Sequence, residues 1–113
     1  MRHILVLNEK GGSGKSTLAT NLAAYFATEG AAVALADYDP QRSSLDWLER
    51  RPENFAKIVG IAGFEDGLRY APRSADILII DAPARSKGSE LTSLIKHAET
   101  IVVPVLPSPI DMQ

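Results

Sequence analysis

Apolar residues fall into two alternating patterns along the chain. Short unbroken runs occupy residues 4–7, 32–36, 77–80 and 101–103, with a weaker one at 58–61. Runs of this length are expected of strands buried on both faces. Between the first two, Leu18, Leu22, Tyr25 and Phe26 stand at i, i+4, i+7 and i+8, which places an apolar stripe on one face of a helix that Gly30 then stops. Ser43 with Asp46 reads as a capping box opening a second helix through Leu45, Trp47 and Leu48. Leu91, Leu94, Ile95 and Ala98 mark a further helix at i, i+3, i+4 and i+7 before the last strand. Strand, helix and strand repeated in this order predict an α/β fold, a mostly parallel sheet with right-handed crossovers and helices on both faces. The last residues read differently. Ser108-Pro109-Ile110-Asp111 has an N-cap serine, a proline at the first helical position and an acid in the first turn, a helix start with no helix after it. The strand before it would be left with an unpaired edge, so residues 1–113 are expected to form one domain that lacks its C-terminal part.

Composition changes this picture only by exclusion. A chain of 113 residues, 45% hydrophobic and 23% charged, holds one core and not two. Twelve Lys plus Arg against 14 Asp plus Glu give a net charge of −2, which provides no bulk attraction to nucleic acid or to an anionic membrane. The absence of cysteine excludes a disulfide framework and any thiolate-held zinc or iron–sulfur centre supplied by this chain. The apolar run at residues 4–7 is too short for a signal-peptide core or a membrane span, and a cytoplasmic location is the simplest expectation.

The strongest chemical signal is Lys10-Gly11-Gly12-Ser13-Gly14-Lys15-Ser16-Thr17, directly after the first strand and directly before the first helix. Glycines at 11, 12 and 14 allow backbone conformations in which successive N–H groups converge on phosphate oxygens. The following helix adds its positive N-terminal end. Lys15 suits a point-charge contact to β- and γ-phosphates, the Ser16 hydroxyl suits Mg²⁺, and Thr17 is a candidate contact to the α-phosphate. A dinucleotide-binding loop competes for the same segment, since Gly12-x-Gly14 begins a G-x-G-x-x-G/A match and Asp37 lies about twenty residues beyond it. Its third position is Thr17, and Lys15-Ser16 has no role in that fingerprint, so it ranks below the ATP reading.

Two acidic segments follow, each at the carboxyl end of an expected strand, where open α/β sheets bind ligands. In Asp37-Tyr38-Asp39-Pro40-Gln41 the carboxylates can orient metal-bound and attacking water; a plain strand-to-helix turn rich in Asp and Pro is the competing reading. Residues 76–83, Asp-Ile-Leu-Ile-Ile-Asp-Ala-Pro, read as a Walker B strand whose Asp81 would hold Mg²⁺ through water, opposite Ser16. Residues 82–88 would then form a γ-phosphate-sensing loop. His3 and His97 lack the spacing of a metal pair, and Trp47 reads as helix packing. Glu49-Arg50-Arg51 and the arginines at 69, 73 and 85 read as solvated surface, with Arg50 and Arg51 also open to an interface role.

The standard loop pattern has glycine where this chain has Glu9, and Lys10-Gly-Gly-x-Gly-Lys-Ser resembles instead the deviant Walker A motif of the ParA/MinD class of partition ATPases. The D-x-D-P-Q segment at 37–41 and Val103-Pro104-Val105-Leu106-Pro107-Ser108-Pro109 resemble two more of that family's stretches, so the likeness runs through essentially the whole chain. It implies ATP and Mg²⁺ as cofactors, slow hydrolysis and an ATP-dependent homodimer. In that dimer Lys10 would reach the partner's nucleotide, Asp39 would position the attacking water and Asp37 would support the metal. It further implies a ParB-like or cargo adaptor partner that speeds hydrolysis and couples it to plasmid, chromosome or cargo positioning. Non-specific DNA binding would lie in a C-terminal region absent from these residues, with nucleoid association in the longer form. Ala82-Pro83-Ala84-Arg85 departs from the family's glycine-containing switch loop. Two other classes stay open: an ATP-dependent ligase or synthase of the same fold, and a nucleotide-binding module without turnover.

Overall fold

The computed structural model describes residues 1–8, 16–83 and 88–103. In chain order the elements are β1 (Arg2–Asn8), α1 (Ser16–Thr28), β2 (Val33–Asp37), α2 (Ser43–Arg50), β3 (Ile58–Ala62), α3 (Gly63–Asp66), β4 (Ile77–Pro83), α4 (Gly88–His97) and β5 (Thr100–Val102). The five strands form one sheet in the order β3-β2-β4-β1-β5, and every pairing is parallel. All five apolar runs become strands. The single turn α3 had no sequence signal, because four residues cannot display a helical period. Residues 9–15, 84–87 and 104–113, which carry the glycine-rich loop, Arg85 and the expected helix start at Ser108, lie outside the described residues.

Alternation along the strands divides the core in two. Ile4, Val6, Val33, Leu35 and Ile79 face α1, where Ala19, Ala23 and Ala27 are fully or almost fully buried, and the partly buried Trp47 and Leu48 of α2 join them. Leu5, Ala34, Ala36, Leu78 and Ile80 point to the opposite face, where Tyr38, Ile61 and Leu94 of α4 complete a second cluster. This corrects the expected face of α1: the alanines at 19, 23 and 27 meet the sheet and let the helix approach it closely, while Leu18, Leu22 and Phe26 flank them partly buried and Tyr25 is 59% exposed. Large side chains supply the bulk from the strands, each worth about 1.5–3 kcal/mol when fully buried.

Gly30 ends α1 as expected. Its φ of +100° is left-handed, its N–H donates to the Ala27 carbonyl at 3.1 Å, and the Ala31 N–H donates to the Phe26 carbonyl at 3.0 Å. These are the two bonds of a Schellman cap. The start of α2 corrects the expected capping box. Ser43 is the first helical residue, the residue before it is Arg42 in the left-handed region at φ 62°, and no side chain at that cap position supplies a hydrogen bond. The first free amides of α2 are satisfied from a strand instead, as described below. At the other end of α2, the Arg51 guanidinium lies 5.2 Å from the Trp47 ring centre and 5.3 Å from that of Phe55, and it donates to the Ala56 carbonyl. Arg51 therefore braces the connection from α2 to β3.

Candidate functional site

Parallel strands require each connecting helix to run back along the sheet, so the N-termini of α1 and α2 both lie at its carboxyl edge. Both helices pack on the same face. Strands β1 and β4 are neighbours whose following connections leave in opposite directions, toward β2 and toward β5 respectively. Such a divergence opens a crevice at the strand ends where ligands bind. Ser16 and Thr17 are the first two residues of α1 at this edge; Lys10, Gly11, Gly12, Ser13, Gly14 and Lys15, which precede them in the sequence, lie outside the described residues.

Asp37, the last residue of β2, is in register with Asp81 of β4. Residues in register on parallel neighbours point to the same face, and the alternation set by Leu35 and Ile79 directs both carboxylates toward the α1/α2 side. Both are buried, with Asp37 at 0% and Asp81 at 2% exposure. The Tyr38 N–H donates to the Asp81 carbonyl at 2.8 Å, which extends the pairing one residue further. Gly63 keeps Tyr38 in place, since a Cβ there would stand 2.5 Å from the tyrosine ring.

Hydrogen bonds fix these carboxylates closely. Oδ1 of Asp37 accepts from the Asp39 N–H at 2.9 Å, and Oδ2 accepts from the amides of Ser44 at 3.1 Å and Leu45 at 3.2 Å. Asp37 thus caps α2 from an adjacent strand, taking the place of the N-cap side chain that Arg42 does not provide. It uses three of roughly four acceptor positions on backbone groups. The Ser44 hydroxyl, with Ser44 itself at 0% exposure, donates to Oδ2 of Asp81 at 2.5 Å, within the range of charge-assisted O–H···O⁻ bonds. Asp39 is half-buried in the turn, its carboxylate accepting from the Gln41 N–H at 2.9 Å.

Electrostatically the pair is unfavourable for anions. Burial pushes the Asp37 carboxyl up to about 6; the amides of Asp39 and Leu45 pull it down, and the neighbouring charges of Asp81 and Asp39 raise it further. Stacked carboxylates in this state suit a hard divalent cation. Among the described residues no group of three or more His, Cys, Asp or Glu is arranged to hold a metal alone.

Sequence reasoning located Asp37, Asp39 and Asp81 but passed over Ser44. The available signal was phase: Ser44 and Leu48 stand at i and i+4 on the stripe that includes Leu45, whereas Ser43 lies off it. His3 and His97, which lack the spacing of a metal pair, together line a cavity of about 560 Å³ on the opposite face, with Tyr38, Ile80 and Leu94. Burial there holds the His3 imidazole below its ordinary value.

Residues 4–110 match the family described as the CobQ/CobB/MinD/ParA nucleotide binding domain. The chain belongs to this family. Its five-stranded parallel sheet with helices on both faces is the α/β architecture of that nucleotide-binding domain. Among curated relatives, the maintenance of carboxysome distribution protein A of Gloeobacter kilaueensis is 32% identical over 120 residues, covering 98% of this chain and 52% of that protein. The chromosome-partitioning ATPase Soj of Thermus thermophilus is 36% identical over 85 residues, covering 69% of this chain and 34% of Soj. Soj of Treponema pallidum reaches 50% over 71 residues, covering 61% of this chain and 28% of its own length. The chain spans about half the length of the carboxysome-distribution relatives it matches. Among the described residues no helix is long and apolar enough to cross a membrane.

Proposed function

We propose that the chain is the nucleotide-binding part of a partition-type ATPase that binds Mg²⁺-ATP, pairs with a second copy and hydrolyses slowly to reset. The observation that carries this reading is the buried, in-register pair Asp37 and Asp81 on the face and edge from which α1 begins. In this role the amides of residues 11–14 and the Lys15 ammonium hold phosphate oxygens, and the Ser16 hydroxyl and Asp81 hold Mg²⁺, with the Asp37 charge in support. Bound Mg²⁺ neutralises charge on the phosphates. Asp39, in the turn that follows Asp37 and hydrogen-bonded to it through its backbone N–H, orients the attacking water, and Lys10 contacts the partner's nucleotide. Turnover of this kind works as a timer. By analogy with relatives named for carboxysome distribution and chromosome partitioning, the timer serves positioning of a cargo through a ParB-like or adaptor protein.

Calorimetric titration of Mg²⁺-ATP into the full-length protein tests the reading, with Lys15→Ala alongside. Micromolar binding by the wild type and none by the variant is the expected result. Equal affinity in both would remove the phosphate-binding role of the loop and the function with it.

A further inference from the structure

Ser44 meets both buried carboxylates at once. Its backbone N–H donates to Asp37 Oδ2 at 3.1 Å and its hydroxyl donates to Asp81 Oδ2 at 2.5 Å. A serine hydroxyl has a single proton, so the bond to Asp81 fully commits it as a donor. Ser44 is also the second residue of α2, anchored by the Asp37 cap, with Leu45 buried beside it, so its hydroxyl is carried on a fixed element. The side chain at 44 therefore has little freedom to leave Asp81, and Asp81 has little freedom to rotate without breaking a short bond in a buried site. Carboxylates that ligate metals depend on such partners for their orientation.

We propose that Ser44 is a positioning residue for the metal site: it holds the Asp81 carboxylate in the rotamer that receives a divalent cation, and it ties that rotamer to the N-terminus of α2. Asp37 assists by accepting from the Ser44 N–H and so fixing Ser44 in place. This inference rests on the proposed Mg²⁺-ATP function and adds to it a residue outside the three motifs.

The test uses Mn²⁺ as an oxygen-seeking probe, titrated with ATP present into the full-length protein and read by electron paramagnetic resonance, which counts bound metal without turnover. Ser44→Ala is expected to weaken Mn²⁺ binding by roughly ten- to a hundredfold, the usual effect of losing such a supporting hydrogen bond. Nucleotide affinity in EDTA should stay at the wild-type value, and Ser44→Thr, which keeps the hydroxyl, should restore metal binding. In an Asp81→Asn background, adding Ser44→Ala should produce no further loss, because the group it positions is already altered. Ser44→Cys, nearly isosteric with a far weaker donor, carries the same expectation where the alanine variant does not fold. Wild-type Mn²⁺ affinity in folded Ser44→Ala or Ser44→Cys, or an equal additional loss in the Asp81→Asn background, would overturn the assignment. A wild type that binds ATP but no Mn²⁺ overturns it as well, and a wild type that binds neither removes the underlying function first.

Discussion

Strands β2 and β4 are joined by aspartates at both of their ends, and the two ends are built to opposite effect. At the amino edge Asp76, exposed and just before β4, accepts the Ala32 N–H on Oδ2 at 2.9 Å while its own N–H donates to the Ala32 carbonyl at 2.7 Å. One carboxylate there closes a backbone pair in contact with water. At the carboxyl edge two carboxylates, Asp37 and Asp81, stand in register out of water and share Ser44 between them. Asp76 and Asp81 are the same residue type five positions apart, one just before β4 and one within it. What separates them is the direction of the chain: only at the carboxyl edge do helix N-termini and connecting loops converge on the acid.

The comparison predicts where substitution costs most. Asp37→Ala removes the acceptor of three amides, two of them the opening N–H groups of α2, and should destabilise the fold by roughly 3 kcal/mol. Denaturant unfolding measures the loss, and hydrogen exchange should show it concentrated at the Ser44 and Leu45 amides. An unchanged midpoint would mean that α2 is capped by some other group and that the carboxyl edge is no more demanding than the amino edge.

Acidity sharpens the contrast next. Asp37 titrates near 6 in the folded protein against an ordinary value of 3.8, chiefly through burial. Between those values the folded chain keeps a proton that the unfolded chain has released, so this group's contribution is complete below the ordinary value and is lost as pH rises through about 6. With one proton involved, the slope cannot exceed about 1.4 kcal/mol per pH unit. In metal-free buffer the stability of the wild type should fall over this window relative to Asp37→Asn, which has no proton to release. Parallel pH profiles for the two proteins would assign Asp37 an ordinary acidity and remove the electrostatic part of the comparison.

Much of this arrangement is legible in the chain itself, and the remainder has a common cause. Strands β1, β2 and β4 could be read because double-sided burial leaves uninterrupted apolar runs; the existence of α1 and its stop at Gly30 were legible too, but its buried face was not, because small alanines rather than the larger apolar residues meet the sheet. Edge strand β3 gave a weaker signal, since Val59 is 38% exposed and Gly60 has no side chain to contribute. Asp37 and Asp81 were recognisable as strand-terminal acids, but their alignment in one register depends on β4 inserting between β2 and β1, which no local pattern encodes. The same holds for the α2 cap. Ser43 carries the local signature of an N-cap, yet a carboxylate six residues earlier in the chain fulfils that role, because the sheet brings it to the helix start. Local chemistry names candidate residues; the pairing of distant strands decides which of them meet.

Asp76 supplies the smallest expected effect and the most direct check on the comparison. Asp76→Ala deletes one hydrogen bond to an exposed amide while the surrounding backbone bonds, from Arg2 N–H to the Asp76 carbonyl and from Ile77 N–H to the Ala32 carbonyl, remain available. The Ala32 N–H can turn to water, so the cost should be about 0.5–1 kcal/mol in a denaturant titration. Asp76→Asn keeps an acceptor oxygen and should cost less still. Neither variant should alter Mn²⁺ binding in the presence of ATP, since Asp76 lies at the opposite end of β4 from Asp81. A metal-binding loss in Asp76→Ala comparable to that of Asp81→Asn would show that the two ends of the strand act as one electrostatic unit. The division between a structural amino edge and a functional carboxyl edge would then have to be given up.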